Sequence, residues 1–187
     1  MKQTAFSWRA RSGMTLVETL VAVLMVVLLT TMVAAGMAAA VRVRAQSTFV
    51  SGSQQVADTI GAALSDVLRY ATDVETDGEG AVSAFTNVNY GVTAGQIYVG
   101  AGDEDGDRGV IYLNAPGVAK KIPLLTNPSY SGLAVVPEDF DSDDDSIGGP
   151  LALRYSDGVF SGIYRLYDSA GGKLSEPIEF TFRALNG

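Results

Sequence analysis

The chain begins with a stretch in which polar and apolar positions are sharply separated. Basic residues and no acids precede Met14, and residues 19–41 then continue for 23 positions without a charge. As a helix this run would span roughly 35 Å, more than the about 30 Å of a bilayer hydrocarbon core. Its apolar residues occupy every helical face, which excludes an amphipathic surface helix. The pattern predicts a helix that spans a membrane.

After Arg44 the apolar positions narrow to one helical stripe. Its members recur at spacings of three, four and seven, and are Phe49, Val56, Ile60, Ala63, Leu64, Val67 and Leu68. Polar residues, Ser53 among them, are predicted on the other faces. We expect one helix from Met14 to about Ala71. The alternative is a break near Arg44 or Gly52, which would separate a membrane helix from an amphipathic one.

The pattern changes again after the helix. Residues 72–83 carry acids and glycines without apolar periodicity and predict a loop. Beyond them the period becomes two, and the candidate strands are residues 96–100, 109–113, 133–136, 151–155, 162–167 and 178–184. Turn residues at 156–158 and 170–172 favour an antiparallel meander of the last three. The predicted fold is α+β: a long N-terminal helix packed on a mainly antiparallel sheet, with a head of residues 72–187.

Composition and charge exclude several kinds of chemistry. The 187 residues include no Cys and no His, which rules out disulfides, Cys or His nucleophiles and the usual zinc sites. From Met14 onward 10 basic residues face 21 acidic ones, a balance of −11 that argues against direct nucleic-acid binding. The basic leader predicts a cytoplasmic N-terminus, although Arg42 and Arg44 oppose that orientation.

Glu18 is the one carboxylate at the start of the apolar run, where a charge is costly and needs a reason. A capping box of Thr15 and Glu18 would give a local explanation, because each side chain could satisfy an unpaired amide. That explanation leaves Gly13 and the basic leader unexplained. Three hypotheses compete: a plain signal anchor, a secretory peptide cut after residues 38–40, and a leader cut before the apolar run. The run is longer than the usual signal core, which weakens the second.

Residues 13–18, GMTLVE, with their basic leader and apolar continuation, resemble the processing site of type IV prepilins and of the related pseudopilins of secretion and DNA-uptake machines. The resemblance implies that a prepilin peptidase cuts between Gly13 and Met14 and methylates the new amino terminus. It also implies that the Glu18 carboxylate pairs with the amine of a neighbouring subunit. Major pilins usually carry Phe where Met14 stands, and the membrane helix lacks Pro. Both departures favour a minor pilin or pseudopilin.

The resemblance implies a division into leader peptide 1–13, membrane and assembly helix 14–41, amphipathic helix 42–71 and β-rich head 72–187. The implied partners are the peptidase, other pilin or pseudopilin subunits and an assembly platform in the cytoplasmic membrane. The chain would first be a single-pass membrane protein and then part of an extracytoplasmic filament. Adhesion, motility, secretion and DNA uptake all stay open as roles of the filament, and no cofactor is implied.

Two acidic clusters raise the question of calcium. Asp103, Asp105 and Asp107 could supply the oxygen ligands that calcium requires, and residues 139–145 form a second candidate. Neither fits an EF-hand, because the twelfth position is Asn114 in the first and Pro150 or Ala152 in the second. A solvated loop is the favoured interpretation of both, with calcium at residues 103–107 as its alternative.

The sequence predicts no enzyme. It contains no Ser followed by Lys three positions later, and no nucleophile elbow. Carboxylate pairs of the kind that hydrolyse sugars are nevertheless available in so acidic a chain. Two alternatives therefore stand beside the filament subunit: a membrane-anchored or secreted binding domain that does not polymerise, and an anchored carboxylate hydrolase.

Overall fold

A computed structural model describes residues 15–102, 107–116, 121–141 and 147–185. The chain divides into two compact units, Met1–Ser47 and Thr48–Gly187. The described part of the first unit is helical beyond Thr15, and the described strands all lie in the second. The predicted α+β class, with an N-terminal helix and antiparallel sheets, is confirmed.

Helix α1 comprises Leu16–Arg69, 54 residues, and continues through both Arg44 and Gly52. The predicted boundaries are therefore correct to within two residues. At its C-terminal end the helix carbonyls find partners in the head. The Asn87 side chain donates to the Val67 carbonyl at 2.7 Å, and the Leu185 backbone N–H donates to the Arg69 carbonyl at 2.8 Å. These bonds satisfy groups that every helix end leaves unpaired.

The part of α1 in the second unit buries five of the seven residues of the predicted stripe, whereas Phe49 and Ala63 are half-buried. Val56, Ile60, Leu64, Val67 and Leu68 are at most 3% exposed. The placement of Ser53 on a polar face was wrong, since Ser53 is 6% exposed. Its hydroxyl donates to the Val50 carbonyl at 2.9 Å, so this small polar side chain is satisfied within the helix and tolerates burial.

The described residues form eleven strands: β1 (Thr72–Thr76), β2 (Val82–Asn87), β3 (Val92–Val99), β4 (Ile111–Asn114), β5 (Ile122–Pro123), β6 (Leu133–Val136), β7 (Gly149–Pro150), β8 (Leu153–Ser156), β9 (Val159–Asp168), β10 (Lys173–Leu174) and β11 (Ile178–Arg183). The first sheet has the order β1-β2-β3-β4-β5, with β7 also on β3. In the second sheet the long strand β9 pairs with β6, β8, β10 and β11. All these pairs are antiparallel.

The single predicted sheet was wrong, because the strands divide between two sheets. The six predicted strands each overlap an observed one, and β6 has the predicted bounds. The turn between β8 and β9 was also predicted correctly. Asp157 and Gly158 both have positive φ, 51° and 78°, as a tight two-residue hairpin requires. The last three predicted strands do pair as β8-β9-β11, but the short β10 lies between β9 and β11 along the chain.

The predicted loop at residues 72–83 was wrong at both of its ends, which belong to β1 and β2. The side chains of β1 are mostly exposed, so the strand lacks the apolar alternation that would predict it. Its pairing with β2 is also irregular between Thr72 and Glu75. Only residues 77–81 form a turn, in which the Asp77 carboxylate accepts the N–H groups of Glu79 and Ala81 at 2.9 and 2.8 Å.

Aromatic side chains connect the two sheets in the core of the head. Phe85 of β2 and Phe160 of β9 are both 0% exposed, with ring centroids 6.4 Å apart at an angle of 68°. This edge-to-face arrangement is one that aromatic pairs prefer. Tyr130 and Tyr164 are also buried, and helix residues such as Ile60 and Leu64 join the same cluster. The head therefore has a common core shared by both sheets and the helix stripe.

Ionisation of Tyr130 is expected to lower the stability of the head at alkaline pH. Its hydroxyl accepts a hydrogen bond from the Ile111 backbone N–H at 2.9 Å, and burial raises the pKa of Tyr130 to about 12. In the unfolded chain tyrosine ionises near pH 10, which is below the pH at which Tyr130 ionises in the folded chain. Above about pH 10, ionisation therefore stabilises the unfolded chain relative to the folded one. We expect the Tyr130 contribution to the free energy of unfolding to be constant below about pH 10. It should then fall by about 1.4 kcal/mol per pH unit up to about pH 12.

The matching variant is Tyr130→Phe, studied as the full chain in detergent by denaturant unfolding and near-ultraviolet circular dichroism. At pH 7 it should lose about 1 kcal/mol, because the buried Ile111 N–H loses its acceptor. Between pH 10 and 12 its stability should fall less steeply than that of the wild type. Some slope should remain, since burial also raises the pKa of Tyr164. An unchanged alkaline slope would show that Tyr130 ionises equally easily in both states.

Candidate functional site

The start of α1 is organised by Thr15. Its side-chain hydroxyl accepts the backbone N–H of Glu18 at 3.2 Å, and its carbonyl accepts the N–H of Thr19 at 3.1 Å. Thr15 is therefore the N-cap residue, and Glu18 occupies the third helical position. The threonine half of the predicted capping box is confirmed. The hydrogen bond uses the backbone of Glu18, so it leaves the carboxylate available.

The Glu18 carboxylate is exposed, and within the described part of the chain it has no hydrogen bond or ion pair. Negative charge in the first turn interacts favourably with the helix dipole, which supplies a modest local stabilisation. In a bilayer or an apolar bundle, however, an unpaired carboxylate is strongly disfavoured. The side chain thus has unused capacity to accept hydrogen bonds from a positively charged partner.

The helix surface that follows is apolar and exposed. The most apolar 18 residues of α1 are not buried inside the protein. Large side chains are exposed in every direction around the axis, for example Leu16 at 81%, Leu29 at 62% and Met32 at 70%. Removing such a surface from water is favourable. By length and composition, α1 is able to span a membrane.

Three threonines interrupt this surface, and each is satisfied within the helix. The hydroxyls of Thr19 and Thr31 donate to the carbonyls of Leu16 and Leu28, both at 2.8 Å, and Thr30 donates to the carbonyl of Val26. Internal hydrogen bonding removes the cost of placing a hydroxyl in hydrocarbon. The sequence analysis did not single out these residues, although hydroxyls in an apolar run are a readable feature. Glu18 is left as the unsatisfied polar side chain of residues 16–41.

The predicted processing residues Gly13 and Met14 lie outside the described residues, as do the calcium candidates Asp103 and Asp105. Asp107 is described and is not part of a solvated loop, because it is 2% exposed. One of its carboxylate oxygens accepts the Gly102 N–H at 2.8 Å, and the other lies 3.7 Å from the Lys121 Nζ. Asp107 thus holds the connection between β3 and β4.

These contacts disfavour calcium at Asp107. The ion would have to share the carboxylate with the half-exposed Lys121 ammonium, and like charges close together repel. Nowhere in the described ranges do three or more Asp or Glu side chains form a group that could hold a metal. In the second acidic cluster, Asp139 and Asp141 are exposed, and residues 142–146 lie outside the described ranges.

A groove of about 690 Å³ is lined mainly by parts of β8, β9 and β11 of the second sheet, together with residues 150–152, Ala81 and Val82. Its charged side chains are Arg154 and Glu179, and the rest are apolar, small or hydroxyl-bearing. Sugar hydrolysis by the usual mechanism needs two carboxylates, whereas this lining contains one. The groove therefore gives no support to the hydrolase alternative.

Comparison with known proteins adds no relative. No family model, no curated protein and no solved structure matches this chain. The fold and the helix therefore define its class: an α+β protein with antiparallel sheets and one N-terminal helix long and apolar enough to cross a membrane.

Proposed function

We propose that the chain is a minor pilin or pseudopilin, a structural subunit that polymerises through its N-terminal helix after its leader is removed. The observation that carries the proposal is the combination found on residues 16–41. This segment exposes apolar side chains on every face, satisfies its hydroxyls internally and retains one carboxylate, Glu18, without a partner among the described residues.

Each part of that combination has a use in the proposed assembly. The apolar surface first holds the subunit in the cytoplasmic membrane, with the basic leader inside, and then packs against the helices of other subunits. Cleavage before Met14 creates an ammonium group at the start of the helix. An ammonium and a carboxylate each cost several kcal/mol when buried alone, and pairing them offsets much of that cost. Pairing between subunits therefore fixes the axial register of one helix against the next.

The head takes no part in that chemistry and gives the filament its outer surface. It buries the helix stripe in a core of its own, so the head is expected to keep its structure in the membrane and in the filament. Enzymatic activity is not proposed, and the partners are the peptidase, neighbouring subunits and the membrane assembly platform.

Processing is tested by co-expressing the full chain with a prepilin peptidase and following its size on a gel. The wild type should become shorter by the leader, whereas Gly13→Leu should stay uncut, because by resemblance the peptidase requires glycine before the cleaved bond. Gly36→Leu is the matched control. A Cβ at Gly36 meets nothing within 4 Å, so this variant should be cut normally. Equal cutting of the Gly13 variant would contradict the proposal.

A further inference from the structure

The last strand, β11, leaves one of its two edges unpaired. Among the described strands β11 pairs with β9 alone. The bond from the Ala184 N–H to the Gly158 carbonyl, at 2.8 Å, continues that ladder and shows which residues bond to β9. Antiparallel strands alternate residue by residue, so the N–H and C=O groups of Glu179, Thr181 and Arg183 point away from β9. No described residue pairs with them.

This free edge has definite limits. Pro177 has no N–H to donate, which ends the edge on one side. The Leu185 N–H is already bonded to the Arg69 carbonyl, which ends it on the other. Between these limits the three residues Glu179, Thr181 and Arg183 are all exposed. An unpaired, exposed edge of this kind is a ready template for another strand.

The sequence of the edge is complementary to itself. When two copies of β11 run antiparallel with Thr181 opposite Thr181, Glu179 of each copy lies opposite Arg183 of the other. The backbone groups of Glu179, Thr181 and Arg183 in each copy then all have partners. Two pairs of opposite charge also form across the strands. On the other face Phe180 lies opposite the second copy's Phe182, and these two rings already stack within one chain at 5.4 Å.

Other registers fit less well. Shifting the two-fold centre by one residue toward the start of β11 brings Pro177 into the ladder. Shifting it by one residue toward the end requires the Leu185 N–H, which is already bonded to the Arg69 carbonyl. A parallel pair in register would place Glu179 beside Glu179 and Arg183 beside Arg183, which is destabilising. We therefore propose that β11 is an interaction surface for a second copy of this chain, which adds its own β11 antiparallel about Thr181. The two-fold contact is closed, and it is separate from the helix-mediated assembly proposed above.

Disulfide trapping in the full chain, purified in detergent, tests the register directly, because the native sequence has no Cys. Hydrogen-bonded antiparallel residues have Cα atoms about 5.5 Å apart, within disulfide range. Under mild oxidation Thr181→Cys should form dimers at least tenfold faster than the control Ser161→Cys. Ser161 is opposite Thr181 on β9, one strand further from the partner. Equal rates for the two variants would overturn the proposal.

Glu179 and Arg183, which lie opposite each other in the proposed pair, supply a second cross-linking test. A mixture of Glu179→Cys and Arg183→Cys chains should cross-link across the pair, whereas either variant alone should cross-link at least tenfold more slowly. In the Thr181→Cys background, Glu179→Arg should slow dimer formation, and adding Arg183→Glu should restore it. Self-linking of the Glu179→Cys variant as fast as the mixture would contradict the register. Because the cross-link needs neither leader cleavage nor filaments, its failure leaves the proposed function untouched.

Discussion

Glu18→Ala should insert into the membrane normally and yet fail to enter filaments. The apolar run that drives insertion is unchanged, whereas the proposed pairing with a neighbouring subunit's amine is lost. Breaking a buried ion pair costs about 3–5 kcal/mol, because the remaining charge stays buried without a partner. Incorporation should therefore fall by roughly 100-fold or more. The measurement compares the variant in the membrane fraction with the variant in sheared filaments of the producing cell.

Thr15→Val separates this role from helix capping. The cap uses the Thr15 hydroxyl and the backbone N–H of Glu18, so Glu18→Ala retains it and Thr15→Val removes it. Loss of an N-cap costs about 1 kcal/mol of helix stability. Thr15→Val should thus be incorporated at nearly the wild-type level. If Thr15→Val is excluded from filaments and Glu18→Ala is not, capping is the function of these residues and the pairing role is wrong.

Gly109→Ala should lower the stability of the head by about 3 kcal/mol or more. Gly109 has a φ of +69°, and a Cβ there would lie 2.3 Å from the Ala134 Cβ and 2.6 Å from the Ala134 Cα. The Gly109 carbonyl also accepts the Val135 N–H at 2.9 Å, so the backbones cannot separate without losing that bond. Positive φ alone costs an alanine about 1 kcal/mol, and the collision adds the larger part. Thermal unfolding of the full chain in detergent should shift down by roughly 10 °C.

Gly91→Ala is the matched control, because it shares the backbone conformation without the collision. Gly91 has a φ of +64°, and a Cβ there meets nothing within 4 Å. This variant should lose only about 1 kcal/mol, the cost of the left-handed conformation. Equal losses at Gly91 and Gly109 would mean that β6 does not approach Gly109 as closely as described.

The sequence predicted best those elements whose pattern is local. The helix follows from an uninterrupted apolar run and a stripe at helical spacing, and β11 follows from alternating aromatic and polar residues. The missed strands have no such pattern. The side chains of β1 are mostly exposed, and β7 has two residues whose partners on β3 lie some fifty positions earlier. Their existence depends on contacts between distant segments, which periodicity does not record.

In the candidate site, too, only the features with a local sequence pattern were predictable. The Thr15 cap was predictable because capping boxes have a fixed spacing. The burial of Asp107 was not, since the acidic run around it indicated a solvated loop. Its contacts come from Lys121, 14 positions later, and from a tight connection between β3 and β4. The free edge of β11 likewise follows only from the strand pairing.

The central claim, that a leader is removed to leave an assembly-competent subunit, is tested most directly by the mass of the intact mature chain. We predict a chain that begins at Met14, carries one added methyl group at its amino terminus and contains no tryptophan. Trp8 is the only Trp in the sequence and lies in the proposed leader. A mature chain beginning at Val41 would indicate ordinary secretion, and one that retains Met1 and Trp8 would indicate a plain anchor. Either result would contradict the account.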